Sequence, residues 1–147
     1  MPTVTLGKRK GTDRMDWQTT YQQLDNASLL GLLPLLNDRI EQGKRQLEAV
    51  TSSIARSEKF NKQCEKWLDQ AVGLQEQGHD VSEPIEQFER SLHAHAETAP
   101  KEHQFQRGLF TYLIDLESRR KWIVEVEALR RGLLPDPADF LGDAQRD

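Results

Sequence analysis

The spacing of apolar residues between Leu33 and Ala71 is the feature that most constrains the fold of this chain. Aliphatic residues and a cysteine recur at alternating intervals of three and four positions, and Gly43, Ser57 and Asn61 occupy the remaining places in that register. This heptad spacing predicts an α-helix with one apolar seam that must pack against another helix. The apolar seam residues are Leu33, Leu36, Ile40, Leu47, Val50, Ile54, Cys64, Leu68 and Ala71.

Prolines and glycines predict where the long helices begin and end. Pro34 suits the first turn of a helix, where its missing N–H costs nothing, so we expect a helix over about 35–77. Gly78 suits the left-handed residue that follows a last helical turn. A second helical stretch is expected over 83–131, with Ser82 as its cap and Pro84 in its first turn. The two stretches have similar length and would fold back on one another.

The second stretch is expected to change register at Pro100. The pattern before this proline does not continue into the pattern after it, which predicts a kink or a short loop. Acid–base pairs four residues apart, such as Asp115–Arg119 and Glu127–Arg131, are expected to support this helix from its surface. The predicted stripe is Ile85, Phe88, Leu92 and His95 before Pro100, and Phe105, Leu109, Tyr112, Leu116, Ile123 and Val126 after it.

Shorter signals flank the long helices. Asp16 is a candidate cap for a short amphipathic helix over 17–24, and Asn26 or Ser28 could cap a further turn that ends at Leu33. Asp136 could cap one turn near the C-terminus. These signals predict an all-α fold, namely an elongated antiparallel helical hairpin or coiled-coil-like bundle of three to four helices. We expect a flexible basic arm over 1–15, a helical domain over 16–133 and an acidic, mobile tail over 134–147.

The composition limits the possible partners. Hydrophobic residues make up 36% and charged residues 30% of the 147 residues, which favours thin helical layers over a thick globule. The net charge of −4 argues against bulk binding to nucleic acid or anionic membrane. No apolar run approaches the ~20 residues that a membrane-spanning helix needs. The single cysteine, Cys64, excludes an internal disulfide and fits an intracellular protein.

The residues that could support catalysis or metal binding favour an ordinary helical role. His93 and Glu97 share a helix face, but His95 points elsewhere and His103 lies beyond Pro100, so a metal site is disfavoured. Cys64 lies on the apolar seam without a paired base. The leucines between positions 29 and 36 fit the LxxLL docking motif, but they are better explained as core. We therefore expect no enzymatic site, no cofactor and no small-molecule substrate.

The wide apolar stripes predict a scaffold subunit that assembles with another helical chain or a second copy of itself, within a larger complex. A short cluster of Lys8, Arg9, Lys10 and Arg14 could be a nuclear import signal or a phosphate contact. The alternative function is therefore a chromatin- or nucleic-acid-associated adaptor that uses this arm. The expected interface residues are Leu36, Ile40, Leu47, Ile54, Phe60, Trp67, Leu109, Tyr112, Leu116, Trp122 and Ile123.

Overall fold

The computed structural model describes residues 16–140, and no strand occurs in that span. The predicted all-α hairpin fold is confirmed. The predicted arm over 1–15 and residues 141–147 of the predicted tail lie outside the described residues. The helical elements are α1 (16–22), α2 (Asn26–Glu76), α3 (Ser82–Trp122), a π-helical turn (Ile123–Glu127), α4 (Ala128–Arg130) and a 3-10 turn (Pro137–Asp139).

The first long helix begins earlier than the sequence predicts. The Asp25 carboxylate accepts a hydrogen bond from the Ser28 backbone N–H at 2.7 Å, so Asp25 is the cap of α2. Pro34 lies inside α2 and does not start it. Pro34 has no N–H to donate to the carbonyl of Leu30, one turn earlier, and Pro34 itself is exposed. Asp16 is itself helical and therefore does not cap α1 in the predicted way.

Two glycines end the long helices as left-handed residues. Gly78 has φ +96°, and its N–H donates to the Gln75 carbonyl while the His79 N–H donates to the Leu74 carbonyl. Gly132 has φ +74° and is followed by the same pair of hydrogen bonds. This arrangement is the Schellman motif, which satisfies the last carbonyls of a helix. The predicted stops at Gly78 and Gly132 are confirmed, and Asp136 caps the 3-10 turn as predicted.

The predicted loop at Pro100 is wrong, because α3 is helical from Ser82 to Trp122 with Pro100 inside it. Phe105, Tyr112 and Val126 are exposed, whereas the neighbouring positions of Gln106, Leu113 and Glu127 are half-buried or buried. Replacing these three predicted seam positions by their C-terminal neighbours, while Leu109, Leu116 and Ile123 stay in place, removes the phase shift. One seam then runs through the helix at Ile85, Phe88, Leu92, His95, Ala99, Glu102, Gln106, Leu109, Leu113, Leu116, Arg120, Ile123 and Glu127.

The described chain divides into two compact units. Unit 1 comprises residues 16–43 and 112–140, where the start of α2 runs antiparallel to the end of α3. Gly43 lies so close to Leu113 that an added Cβ would come within 2.7 Å of its side chain. The Arg120 guanidinium donates to the buried Asn37 amide oxygen at 3.0 Å. The apolar core of unit 1 is Leu29, Leu33, Leu36, Ile40, Leu113, Leu116, Ile123 and Ala128.

The π-helical turn places a carboxylate inside unit 1. Its wider turn buries Ile123, Glu127 and Ala128 together. Glu127 is completely buried and accepts hydrogen bonds from Arg130 and from Arg131 Nε, the latter at 2.7 Å. The predicted pair of Glu127 and Arg131 therefore forms, but it lies in the interior and not on the surface.

The Arg131 guanidinium also holds the end of α1. It donates to the backbone carbonyls of Leu24 at 2.8 Å and Gln22 at 2.9 Å, and to the Asn26 side chain at 3.1 Å. A guanidinium has five N–H donors in a rigid fork, so one side chain can satisfy several carbonyls at a helix end. The ion pair with Glu127 therefore anchors α1 within unit 1.

Candidate protein-interaction face

Unit 2, residues 44–111, consists of the second half of α2 and the first part of α3, joined through the turn at Gly78. Its buried apolar residues are only Ile54, Cys64, Ala71 and Leu109. An apolar core this small buries one narrow stripe from each helix, and the flanks of both helices remain accessible.

Polar pairs occupy several levels of the seam in unit 2. Gln106 donates to Thr51 Oγ1 at 2.9 Å, and Ser53 donates to Glu102 Oε2 at 3.4 Å. His95 Nε2 lies 3.0 Å from a Glu58 carboxylate oxygen. In these three contacts the α2 residue number rises while the number of its α3 partner falls. The two helices are therefore antiparallel, and the contacts fix their register.

Large apolar side chains lie along one flank of this seam. In heptad notation, with a and d as seam positions, Phe60, Trp67 and Leu74 all occupy position g of α2, and Phe105 occupies position g of α3. In an antiparallel pair of helices the two g rows lie on the same side. The exposed fractions are 56% for Phe60, 38% for Trp67, 43% for Leu74 and 55% for Phe105. We name this surface of unit 2, with the adjacent c positions, the aromatic face.

A groove of about 450 Å³ opens on the aromatic face near the Gly78 turn. Trp67 is central to it, with its ring centroid 5.7 Å from that of Phe88 and 6.4 Å from that of Phe60. Aromatic rings arranged in this way are stiff and present apolar area with little loss of conformational entropy. The groove is lined by Trp67, Gln70, Ala71, Leu74, Val81, Pro84 and Phe88.

The two flanks of unit 2 carry different charge. No g or c position of either helix in unit 2 is occupied by Asp or Glu, and the charged residues there are Arg56 and Lys101. The e and b positions on the opposite flank include Glu58, Glu65 and Glu89. The apolar side chains therefore lie on the flank that lacks carboxylates.

A second groove, of about 530 Å³, opens on the opposite flank of unit 2. Leu47, Thr51, Gln106, Arg107, Phe110 and Thr111 line it. Phe110 is 58% exposed there, but no second ring contacts it among the described residues. This groove has one aromatic anchor, whereas on the aromatic face Trp67 packs beside both Phe60 and Phe88.

Unit 1 uses most of its aromatic residues internally. Trp122 makes an edge-to-face contact with Trp17 at 5.5 Å between ring centroids, and Arg119 lies 5.3 Å above the Trp17 ring. The Arg119 guanidinium also donates to the Tyr21 hydroxyl at 3.2 Å and to Asp115 at 3.0 Å. Burial acts to lower the pKa of Arg119, but these hydrogen bonds raise it overall. Trp122 is therefore packed against α1.

The structure separates the predicted interface residues into three groups by their burial. Phe60, Trp67 and Tyr112 are exposed, while Leu47 and Trp122 are half-buried. The others are buried between the chain's own helices and are not available to a partner in this conformation: Leu36, Ile40, Ile54, Leu109, Leu116 and Ile123. The periodicity identified the seam of α2 correctly and placed Tyr112 of α3 on the seam wrongly, and it could not tell an internal seam from an external one.

The other candidate residues lie apart from the aromatic face. His93 lies 3.7 Å from Glu97, while His95 pairs with Glu58. Among residues 16–140, no three His, Cys, Asp or Glu side chains are grouped in a way that could hold a metal ion. Cys64 is buried. Lys8, Arg9, Lys10 and Arg14 lie outside the described residues.

The chain matches no protein-family model, no curated protein and no solved structure. In the part of the chain that the structure describes, no helix is both long and apolar enough to cross a membrane.

Proposed function

We propose that this chain is a non-enzymatic helical subunit that binds another helical chain through the aromatic face of unit 2. The observation that carries the proposal is the row of Phe60, Trp67 and Leu74, which stays exposed beside a thin core, with Phe105 exposed on the same flank. Exposed apolar side chains that form a contiguous row mark binding surfaces more often than scattered ones do. Trp is also among the residues that most often dominate binding energy in protein interfaces.

The spacing of the row favours a helix as the partner. Phe60, Trp67 and Leu74 are seven residues apart, so they span roughly 21 Å along α2 at ~1.5 Å per residue. This length matches about four turns of a partner helix that presents an apolar stripe. A helix in a groove between two others is a common mode of recognition, because it buries apolar area from three elements at once.

A nuclear site of action is part of the same proposal, and it is supported by the Lys8, Arg9 and Lys10 cluster. Basic clusters of this kind occur in nuclear import signals. Replacing all three with alanine is expected to move a fluorescent fusion of the chain from the nucleus to the cytoplasm. An unchanged distribution would remove the nuclear part of the proposal and leave the helical interaction in place.

Affinity purification from the native cell with paired variants tests the interaction. Phe60→Gln with Trp67→Gln removes two anchors of the aromatic face, and Leu35→Gln with Leu129→Gln removes two exposed apolar side chains of unit 1. Both pairs lie on exposed helix positions, so circular dichroism should show unchanged helicity. We expect the amount of a defined partner that co-purifies to fall at least about tenfold with the first pair and to stay at the wild-type level with the control pair. Equal recovery with both pairs would contradict the proposal.

A further inference from the structure

We propose that the occupant of the aromatic face is an acidic amphipathic helix, whose carboxylates meet Arg56 and Lys101 while its apolar stripe covers Trp67 and Phe60. This inference deepens the proposed function and rests on it. It adds the chemical class of the partner, which the apolar row alone does not specify.

The register of unit 2 places the two cations at nearly the same level. Ser53 donates to Glu102 at 3.4 Å, which sets α2 and α3 side by side at this point. Arg56 lies one helical turn from Ser53, and Lys101 is the chain neighbour of Glu102. Both cations occupy c positions on the outer edges of the aromatic face, so a helix lying between the two rows would pass between them.

Arg56 and Lys101 have no carboxylate partner among the described residues. Glu102 is the nearest seam carboxylate and already accepts a hydrogen bond from Ser53. Within residues 16–140, neither Arg56 nor Lys101 forms an ion pair at 4.0 Å or less. No carboxylate occupies a g or c position of unit 2. A partner with acidic flanks would complement this arrangement, and a basic partner would be repelled.

The same charges disfavour a second copy of the chain in a symmetric pairing. Twofold contact between two aromatic faces would bring together two sets of Arg56 and Lys101, with no carboxylate from a g or c position to pair with them. Contact between the aromatic face of one copy and the acidic flank of another would be heterologous, and such contacts build open-ended assemblies unless they close into a ring. Sedimentation of the full chain therefore distinguishes self-association from binding of a separate acidic helix.

Two designed peptides test the inference on the full chain. Both are helical peptides of about 21 residues with the same leucine stripe, and they differ only in having Glu or Lys beside that stripe. Fluorescence anisotropy of the labelled peptides gives each Kd. At about 50 mM salt we expect the Glu peptide to bind about tenfold more tightly than the Lys peptide, which is what two exposed ion pairs can supply. The ratio should fall towards one at about 1 M salt, because salt screens exposed charges.

Charge reversal on the chain identifies which cations select the peptide. Arg56→Glu with Lys101→Glu should invert the preference, so that the Lys peptide binds more tightly. Lys62→Glu with Arg107→Glu is the matched control, since both residues are exposed and occupy b positions on the opposite flank. The control should keep the wild-type preference.

Three outcomes would overturn the inference. Equal binding of both peptides would remove the charge selection and leave the helical-partner proposal intact. Failure of both peptides to bind at about 1 mM would remove the inference. The proposed function would still be tested independently by affinity purification with the Phe60 and Trp67 variants. If the chain self-associates in sedimentation experiments and Trp67→Ser abolishes this association, the aromatic face binds a second copy of the chain.

Discussion

Glu127 has the most constrained environment of any carboxylate in the described chain. It is completely buried, and a charge there would be unfavourable without compensation. Hydrogen bonds from Arg130 and Arg131 provide that compensation and hold the carboxylate in its ionised form. They lower the pKa of Glu127 from 4.5 to about 2, against the opposing effect of burial. Since Arg131 also binds the end of α1, the charge of one residue is coupled to the position of a helix.

This coupling predicts a specific dependence of stability on pH. The folded-state pKa lies below the unfolded-state value, so the stabilisation by Glu127 is fully present above about pH 4.5. It is lost as the pH falls from there through about 2. Urea unfolding of the wild type and of Glu127→Gln should show a difference in unfolding free energy that shrinks over this window. The lowered pKa of Asp25 acts in the same direction but is common to both proteins. Parallel pH profiles would show that Glu127 is not held as described.

Two glycines in α2 predict opposite responses to substitution. Gly31 has open space where a Cβ would be placed, whereas a Cβ on Gly43 would come within 2.7 Å of Leu113. Gly31→Ala should therefore raise the unfolding free energy by about 0.5–1 kcal/mol, because alanine favours the helix. Gly43→Val should lower it by roughly 1–3 kcal/mol through overpacking against Leu113. Thermal or urea unfolding measures both, and equal effects at the two sites would contradict the close approach of the helices in unit 1.

At the level of the helices, the sequence predicted the seam of α2 better than that of α3. Every predicted seam position of α2 is buried or half-buried, including Gly43, Ser57 and Asn61. The predicted seam of α3 is wrong at Phe105, because the seam positions beside this exposed residue are the polar Glu102 and Gln106. A search for apolar periodicity selects the phenylalanine. The partners that make those polar residues suitable for a seam, Ser53 and Thr51, lie about 50 positions away in sequence.

Features that depend on contacts distant in sequence were likewise not predictable. The buried position of Glu127 requires the π-helical turn and the carbonyls at the end of α1, and no local pattern signals either. Local motifs were more informative. The glycine stops at Gly78 and Gly132 and the cap at Asp136 depend only on neighbouring residues, and the structure confirms them.

The continuity of α3 through Pro100 predicts that this proline costs stability. Proline cannot donate to the carbonyl four residues earlier, and its ring crowds the preceding turn. We expect Pro100→Ala to raise the unfolding free energy by about 1–3 kcal/mol. Pro84→Ala is the control, since Pro84 lies in the first turn, where no N–H bond is lost, and should change stability little. A loss of stability in Pro100→Ala would contradict a continuous helix through this position.

For the whole molecule, the two units differ in how much apolar surface they bury. Unit 1 buries a continuous set of aliphatic side chains and encloses Trp122 with α1. Unit 2 has few buried apolar residues and places polar pairs in its seam, while Phe60 and Trp67 remain exposed. A third helix packed against unit 2 would therefore bury more apolar area than one packed against unit 1. The sequence alone predicted exposed aromatic anchors at these two positions but could not identify the flank on which they lie.

Photo-cross-linking in the native cell tests the central claim most directly. A benzophenone amino acid replaces Phe60 on the aromatic face, and in the control chain it replaces Lys62, which is exposed on the opposite flank. Mass spectrometry then identifies the cross-linked residues of the partner. We expect position 60 to label one defined protein along a helix with an apolar stripe, and position 62 to label it at least about tenfold less. Equal labelling from both positions, or no defined product from position 60, would contradict the assignment of the aromatic face.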